Sequence, residues 1–591
     1  MTRRRPTPAP NDELRRRAID LGVVVRYEDV DHVNHDVDPE VLERVVEILD
    51  ADRADSRRVV VAGVHVVEPG TRSASVAVTG PVDDASLVVD GVRTTVDAGA
   101  GPRGVLTLPE LPIGCHTLVV ESASHVEECT IVVPPARMPG LSPGRRWSSL
   151  FVPAYALWER DDPLPSYRHL RRAAVTLGER GVDTLATLPL YATFLDEPFD
   201  PSPYSPISRL HWNEAYIDDS VLPPAPVPDL GDVVDWRQVA ARRRHQLVRA
   251  AEAADDSMTE RLHRFVAAHP DVGAYARFMA ERDAHGGATV ERSHVLAQLL
   301  CDEQLAAVGA DPGAAGLSLD LPIGSHPDGY EAWAHPALFA PGVSVGAPPD
   351  TFFVEGQNWG FPPQLPGQMR HSGYALWRQM IARAGRHAAM LRIDHVMAVH
   401  RLWWVPDGCS ADRGVYVRYP ERELLAIIAA SAAVAESAVV GENLGTVPPE
   451  VGRALDDVGM LGMYEEQFTT GDARLADIPA RSVAGVRTHD MAAFAEHVDT
   501  TDLSTYVRNL AADRAGPIEN LFDAVLERIT ASDAAMVVAD LDDLLDERRP
   551  HNMPGRVVPG IWQRRLDRPA SEVFADDAVR RRLAILNRSG A

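Results

Sequence analysis

The chain has 591 residues, 45% hydrophobic and 24% charged, the balance of a soluble globular protein and long enough for a large catalytic domain with one or two accessory domains. Its 59 basic residues are all arginine and face 85 acidic ones, a formal charge of −26 that repels phosphate backbones and anionic lipid; nucleic acid and membrane partners are disfavoured and a neutral substrate is favoured. Cys115, Cys129, Cys301 and Cys409 have no zinc or disulfide-scaffold spacing, Arg3-Arg4-Arg5 is followed by no apolar stretch, and no apolar run reaches the roughly 20 residues of a membrane helix, so a reduced, cytosolic protein is expected.

In chain order, residues 12–50 carry two helical patterns, the second with apolar residues at three- and four-residue spacing from Val41 to Leu49. The period changes at 59. Short β-branched runs at 59–67, 73–79, 85–89, 105–108, 117–120 and 130–133 alternate with turn clusters, which predicts a small β-sandwich. Breakers from Pro134 to Gly144 mark a linker. Apolar strands then recur between helices at 150–157, 184–190, 317–323, 390–394, 438–442, 483–489 and 536–539, the pattern of a parallel sheet and, at this length, of a closed (β/α)8 barrel. A doubly wound sheet is the competing fold, but no GxGxxG follows an early strand. The division expected is a helical segment 1–56, a β-sandwich 57–135, a linker 136–146 and a barrel 147–591 with a helical subdomain at about 230–312.

Three strand-like runs end in acids: Leu391-Arg392-Ile393-Asp394-His395, Val439-Val440-Gly441-Glu442-Asn443 and Val486-Arg487-Thr488-His489-Asp490. The C-terminal ends of barrel strands converge on one mouth, so such acids meet in space. Cleavage of a glycosidic bond with retention uses a carboxylate nucleophile and a second carboxyl about 5–5.5 Å away that gives and later takes a proton. Asp394 and Glu442 suit these roles, and Arg392, two residues before Asp394 on the same strand face, is placed to hold it ionised. Any one acid alone reads equally as a helix cap or a solvated loop residue; three closing three apolar strands do not. For His395 and His489 the competing roles are metal ligand and satisfied core histidine, and neither HExxH nor a facial carboxylate spacing is present.

The strings Gly346-Ala347-Pro348-Pro349-Asp350, Gly356-Gln357-Asn358-Trp359-Gly360-Phe361-Pro362-Pro363, Leu391-Arg392-Ile393-Asp394-His395-Val396-Met397 and Gly441-Glu442-Asn443-Leu444-Gly445-Thr446-Val447-Pro448 closely resemble the 4-α-glucanotransferases (amylomaltases, disproportionating enzymes) of glycoside hydrolase family 77. Weaker echoes are Ser202-Pro203-Tyr204-Ser205-Pro206, Asp320-Leu321-Pro322-Ile323, Thr488-His489-Asp490, and Asn552-Met553-Pro554-Gly555 followed by Trp562. The resemblance implies Asp394 as nucleophile, Glu442 as acid/base and Asp490 as a third acid gripping sugar hydroxyls. It also implies Tyr204, Asp320, Arg392 and His489 at the donor sugar, with Asp350, Gln357, Trp359 and Asn552 on the acceptor side; His395, in the same string as Asp394, joins the sugar-binding candidates. The implied partners are α-1,4-glucan donor and acceptor, and two carboxyls need no cofactor.

The chain departs from the family at Trp158-Glu159-Arg160-Asp161-Asp162, where a glycine-rich loop is usual, at Met491-Ala492, and in a shortened stretch between Asp490 and Asn552. Two other readings follow: a related retaining hydrolase or transferase with altered acceptor, and a non-catalytic glucan-binding protein using the sandwich.

Overall fold

The computed structural model describes residues 10–29, 32–56, 60–80, 82–96, 104–123, 125–141, 145–283, 286–350, 353–445, 447–514, 516–555 and 560–587. Arg3 to Arg5, Val59, the linker's Ser142-Pro143-Gly144 and Thr446 lie outside them. Eight parallel strands, Trp147–Phe151, Thr184–Ala186, Gly316–Leu321, Ala388–Ile393, Ala438–Gly441, Gly462–Glu465, Ser482–Gly485 and Met536–Asp540, pair in chain order, the eighth returning to the first. Between the fifth and sixth strands the ring closes on Gly441 N–H donating to Leu461 O (2.8 Å) and Leu461 N–H to Val439 O (3.2 Å). The fold is thus the closed barrel expected. Seven of its strands coincide with the predicted runs, though most end earlier than the apolar pattern does; the sixth, Gly462–Glu465, was not foreseen.

Four helices, Trp236–Glu252, Asp256–Ala268, Pro270–Arg282 and Ala288–Val308, follow the second strand as an insertion. Asp235 and Asp255 cap the first two by accepting from the amides of Gln238 and Met258, which satisfies donors a helix start leaves open.

Ahead of the barrel, strands Val64–Val66, His125–Val133, Gly114–Ser122, Asp84–Val89 and Val92–Thr95 form one sheet in that order, and Ser73–Ala77 pairs with Val105–Pro109 in a second. Both contribute to one core containing Val76, Leu87, Leu106, Leu118 and Ile131, the arrangement of a small sandwich. Cys115 pairs with Val132 and Cys129 with Leu118 in the shared ladder, so the two thiols sit on opposite faces and all four cysteines are free. The linker is held down: Met138, 4% exposed, donates its amide to Val458 O at 2.7 Å.

A further five-stranded sheet, in the order Val23–Val24, Val415–Arg418, Arg401–Pro406, Val343–Ala347, Gln357–Asn358, joins the N-terminal segment at one edge to Gln357 at the other. The N-terminal helix Pro39–Asp55 adds a clamp. Its buried Asp52 accepts from the amides of Gly367 (2.7 Å) and Gln368 (2.9 Å), seven or more residues beyond Trp359.

The loops after the second and third strands are tied by a buried pair. Arg209 (1% exposed) meets Glu331 (0%) through Nε and Nη2, and Glu331 also accepts from Arg209 N (2.6 Å) and Ser325 Oγ (3.0 Å). Removing one partner of such a pair leaves a buried charge unpaired, at a cost of about 3–5 kcal/mol. Arg209→Met is therefore expected to destabilise the protein by that order in chemical denaturation, and a midpoint unchanged from the parent's would show the pair to be idle.

Candidate active site

The register of the barrel builds the site from its third, fourth and fifth strands. Asp320 and Arg392 are direct partners on neighbouring strands, both pointing inward. Arg392 Nη1 donates to both oxygens of Asp320 at 2.7 Å and to Asp394 Oδ1 at 3.0 Å. Tyr204, from the loop after the second strand, donates its hydroxyl to Asp320 Oδ2 at 2.6 Å. One guanidinium thus orients two acids on adjoining strands, as the spacing of Arg392 and Asp394 predicts.

Glu442 follows the fifth strand. Its Oε2 accepts from His395 N at 2.9 Å and its Oε1 from Leu444 N at 2.8 Å, so its carboxyl is fixed beside the residue that follows Asp394. The crossing is reinforced by Glu442 N donating to Ile393 O (2.9 Å) and Val396 N to Glu442 O (2.9 Å). His395 takes a left-handed φ of 44°, which turns the chain sharply out of the strand at the site. Burial pushes its ring down to about 4, and its neighbour is the edge-on indole of Trp359 at 5.1 Å.

Burial pushes the Asp394 carboxyl up to about 8 against the pull of Arg392, with Asp320, Glu442 and Asp490 adding to the rise. Burial also raises Glu442, opposed by Arg392 and by the two amides it accepts from. Asp490 adds to the rise of both acids, and burial favours their protonated forms at pH values where free carboxyls have lost the proton.

His489 lies between Phe151 (6.0 Å, 20°) and Tyr204 (5.0 Å, 12°), with Nε2 3.3 Å from Asp490 Oδ2. Asp490 sits beyond the end of the seventh strand rather than closing it, half open to solvent, and accepts from Asn552 Nδ2 at 2.5 Å. Gln357 and Trp359 line a surface cleft of about 420 Å³ with Phe353, Val354, Asn358 and Gly555, three residues past Asn552. Asp350 closes a turn, its Oδ1 accepting from the amide of Phe353, a residue of the cleft, at 2.6 Å. The loop after the first strand packs on the segment that follows the eighth: Trp158 Nε1 donates to Leu566 O at 2.7 Å and Arg565 stacks on the indole at 4.5 Å.

Three features have no role assigned to them by the sequence, although Trp562 follows one of the family-like strings and Arg487 stands inside an acid-ending run. Trp562 leans on Tyr204 (5.8 Å) and His489 (6.2 Å). Arg487, buried, binds Asp543 through Nε at 2.9 Å and lies 2.9 Å from Asp540, bracing the seventh strand against the eighth. Glu465 ends the sixth strand, faces an internal cavity of about 80 Å³ shared with Asp320, Arg392 and Arg487, and is pushed up to about 8 by burial. Neither of its oxygens has a hydrogen-bond partner among the described residues, whereas the adjacent Glu466 accepts from Tyr464, Tyr506 and Arg528. A buried carboxylate is far costlier than a neutral carboxyl, so this setting favours the protonated form of Glu465.

A closed parallel barrel whose C-terminal mouth gathers several carboxyls, one arginine and an exposed aromatic cleft defines a barrel enzyme of the carbohydrate-active class. The sequence profile of the 4-α-glucanotransferases matches residues 165–293 and 288–570, and the chain belongs to that family, glycoside hydrolase family 77. It is 29% identical over 547 residues to a 4-α-glucanotransferase of Mycobacterium tuberculosis, spanning 76% of this chain and 75% of that one, and 25% identical over 585 residues to one of Haemophilus influenzae, spanning 80% and 84%. The fold is similar to that of an amylomaltase from Corynebacterium glutamicum (TM-score 0.83, 22% identity, 98% of this chain and 100% of that one). It is also similar to that of an amylomaltase from Streptococcus agalactiae solved with acarbose (TM-score 0.66, 23% identity, 75% and 98%).

Proposed function

We propose that the protein moves α-1,4-linked glucosyl or maltooligosaccharyl units from one glucan to another by a retaining double displacement, with Asp394 as nucleophile and Glu442 as acid/base. The observation that supports this most is the single nitrogen, Arg392 Nη1, bonded to both Asp320 and Asp394 while Glu442 is pinned to the amide of His395. In the first step Asp394 attacks the anomeric carbon, the C–O bond to the reducing-end fragment breaks, and Glu442 protonates the departing 4-oxygen. In the second, Glu442 takes the proton of an incoming 4-hydroxyl, whose oxygen displaces Asp394; bond type and number are unchanged. The productive form has Asp394 ionised and Glu442 protonated; Arg392, a cation in direct contact with Asp394, opposes the rise that burial imposes on its carboxyl.

Tyr204, Asp320, Arg392, His489 and His395 would face the donor sugar, and Asp490 its hydroxyls. Gln357 and Trp359, with Asp350 and Asn552 behind them, would receive the acceptor. An indole beside amides suits a sugar, whose apolar face stacks while its hydroxyls bond. A binding-only role for the sandwich lacks this chemistry, since residues 57–135 contain no Phe, Trp or Tyr. Among the described residues no helix is long and apolar enough to cross a membrane, and the four free thiols support a reducing, cytosolic compartment.

Purified protein given maltotriose should yield glucose and a ladder of longer oligomers with constant reducing-end count. A rising reducing-end count means hydrolysis, and no turnover with glucan still bound means a binding protein. Transfer outruns hydrolysis only when an acceptor is held where water would otherwise react. Trp359→Ala is accordingly expected to lower the transfer-to-hydrolysis ratio about tenfold, about 1.4 kcal/mol of acceptor placement, and an unchanged product ratio would remove Trp359 from acceptor binding.

A further inference from the structure

The described parts of the crossing stretch after the eighth strand, 545–555 and 560–566, each reach the barrel mouth, with Asn552 on Asp490 and Trp562 on Tyr204 and His489, and one buried side chain, His551, lies beside both. His551 is 2% exposed. Its Nδ1 is 3.0 Å from the hydroxyl of Tyr155, which follows the first strand, and the two rings meet edge to face at 5.5 Å. Its Nε2 is 3.1 Å from Asp542 Oδ2, just past the eighth strand, and 2.8 Å from Arg564 Nη2, farther along the same crossing stretch. Its carbonyl accepts from Trp562 N at 3.1 Å, while Trp562 O accepts from Trp236 Nε1 at 2.8 Å. Trp562 itself holds a left-handed φ of 60°, a strained conformation for a bulky residue that surrounding contacts must maintain.

We propose that His551 is a positioning residue for the reaction: by fixing the crossing stretch to the ends of the first and eighth strands, it holds Asn552 against Asp490 and so orients the third acid. This rests on the reading of Asp490 as a sugar-gripping acid. Asn552 is attached directly to His551, and its amide meets Asp490 Oδ1 on the solvent side of the site, while Asp490 Oδ2 lies 3.3 Å from His489 Nε2. Below the pair, the His551 ring ties the stretch to the ends of the first and eighth strands with both nitrogens engaged. Misplacement of a substrate-orienting group by about 1 Å can cost about 10²-fold, so the position of Asn552 is worth this much anchoring. The His551 carbonyl survives a side-chain substitution and keeps its bond to Trp562, which confines the effect of truncation to the ring's own contacts.

The test is a pair of double-mutant cycles on kcat/KM for maltotriose disproportionation: His551→Ala and Tyr155→Phe, each made in the parent and in Asn552→Ala, with folding checked by thermal melting. Maltotriose turnover by the parent, and its loss in Asp394→Asn, establish the reaction independently; failure there overturns the proposed function and leaves nothing for His551 to orient. With the reaction established, His551→Ala is expected to lower kcat/KM about tenfold in the parent and less than about twofold once Asn552 is gone, since a residue that acts through another has no effect left to lose. Tyr155→Phe, which deletes one hydroxyl and keeps the ring, should show a smaller loss with the same dependence on Asn552 and serves alone if His551→Ala does not fold. Full additivity in either cycle, or parental kcat/KM in both single variants, overturns the proposal, because a merely structural role would damage both backgrounds alike.

Discussion

Asp394→Asn is expected to abolish both transfer and hydrolysis, by at least ~10³-fold in kcat, while the protein remains folded. An amide is isosteric but has no anionic oxygen with which to attack the anomeric carbon, and Asp320 still holds Arg392 Nη1 through two 2.7 Å bonds, so the arginine stays in place. The stability effect has the opposite sign to the kinetic one. Burial raises Asp394 in the folded chain to about 8, above its ordinary value of 3.8, so the parent loses stability as pH climbs from about 4 through 8 and the folded carboxyl is forced to ionise beside Asp320, Glu442 and Asp490. The asparagine variant escapes that loss. Its melting temperature should therefore exceed the parent's at pH 8 by more than it does at pH 4. Turnover within tenfold of the parent's would remove Asp394 from the nucleophile's place.

How much of this was legible in advance follows from which contacts are local. Ala388–Ile393 and Ala438–Gly441 are apolar runs that stop at an acid, and both the strands and the acids could be read from alternation and length. Arg392 and Asp394 share a strand face by simple period, and their 3.0 Å bond was foreseeable for that reason. The sixth strand, Gly-Met-Tyr-Glu, is four residues long, begins with glycine and ends in an acid that faces the barrel interior, with a second acid next to it, so little in the local sequence marks a buried strand. The sheet that carries Gln357 was illegible for another reason, since Val23 finds its partner at Val417, across almost 400 residues, and no window along the chain holds both. The meeting of Asn552 with Asp490, and of Tyr204 with Asp320, is likewise tertiary. Asn552, Tyr204 and Asp320 came forward only because the strings around them match a family, Asp490 also because an apolar run ends at it, and their geometry could not be had from spacing.

Glu442→Gln separates the two halves of the reaction. With a glucan donor both steps suffer, because the departing 4-oxygen goes unprotonated and the incoming hydroxyl undeprotonated, and a loss of about 10²–10⁴-fold is the usual weight of general acid–base help. An activated donor such as an α-maltosyl fluoride leaves without a proton, so the first step should return to within about tenfold of the parent while the second stays slow, and glycosyl-enzyme should accumulate on Asp394 where peptide mass spectrometry can find it. Azide, a nucleophile that needs no base, should then release the intermediate as the α-glycosyl azide. The pH dependence carries the same signature: burial keeps Glu442 protonated above the ordinary carboxylate range, so the parent's turnover of glucan falls on the alkaline side as that proton is lost, whereas the glutamine variant acting on the fluoride has no such proton to lose and should show no fall from this group. Equal losses on glucan and fluoride would mean that Glu442 shapes the pocket without handling the proton, and the acid/base would have to be sought among the other carboxyls of the mouth, with Asp490, half-exposed and held by Asn552, the first to examine.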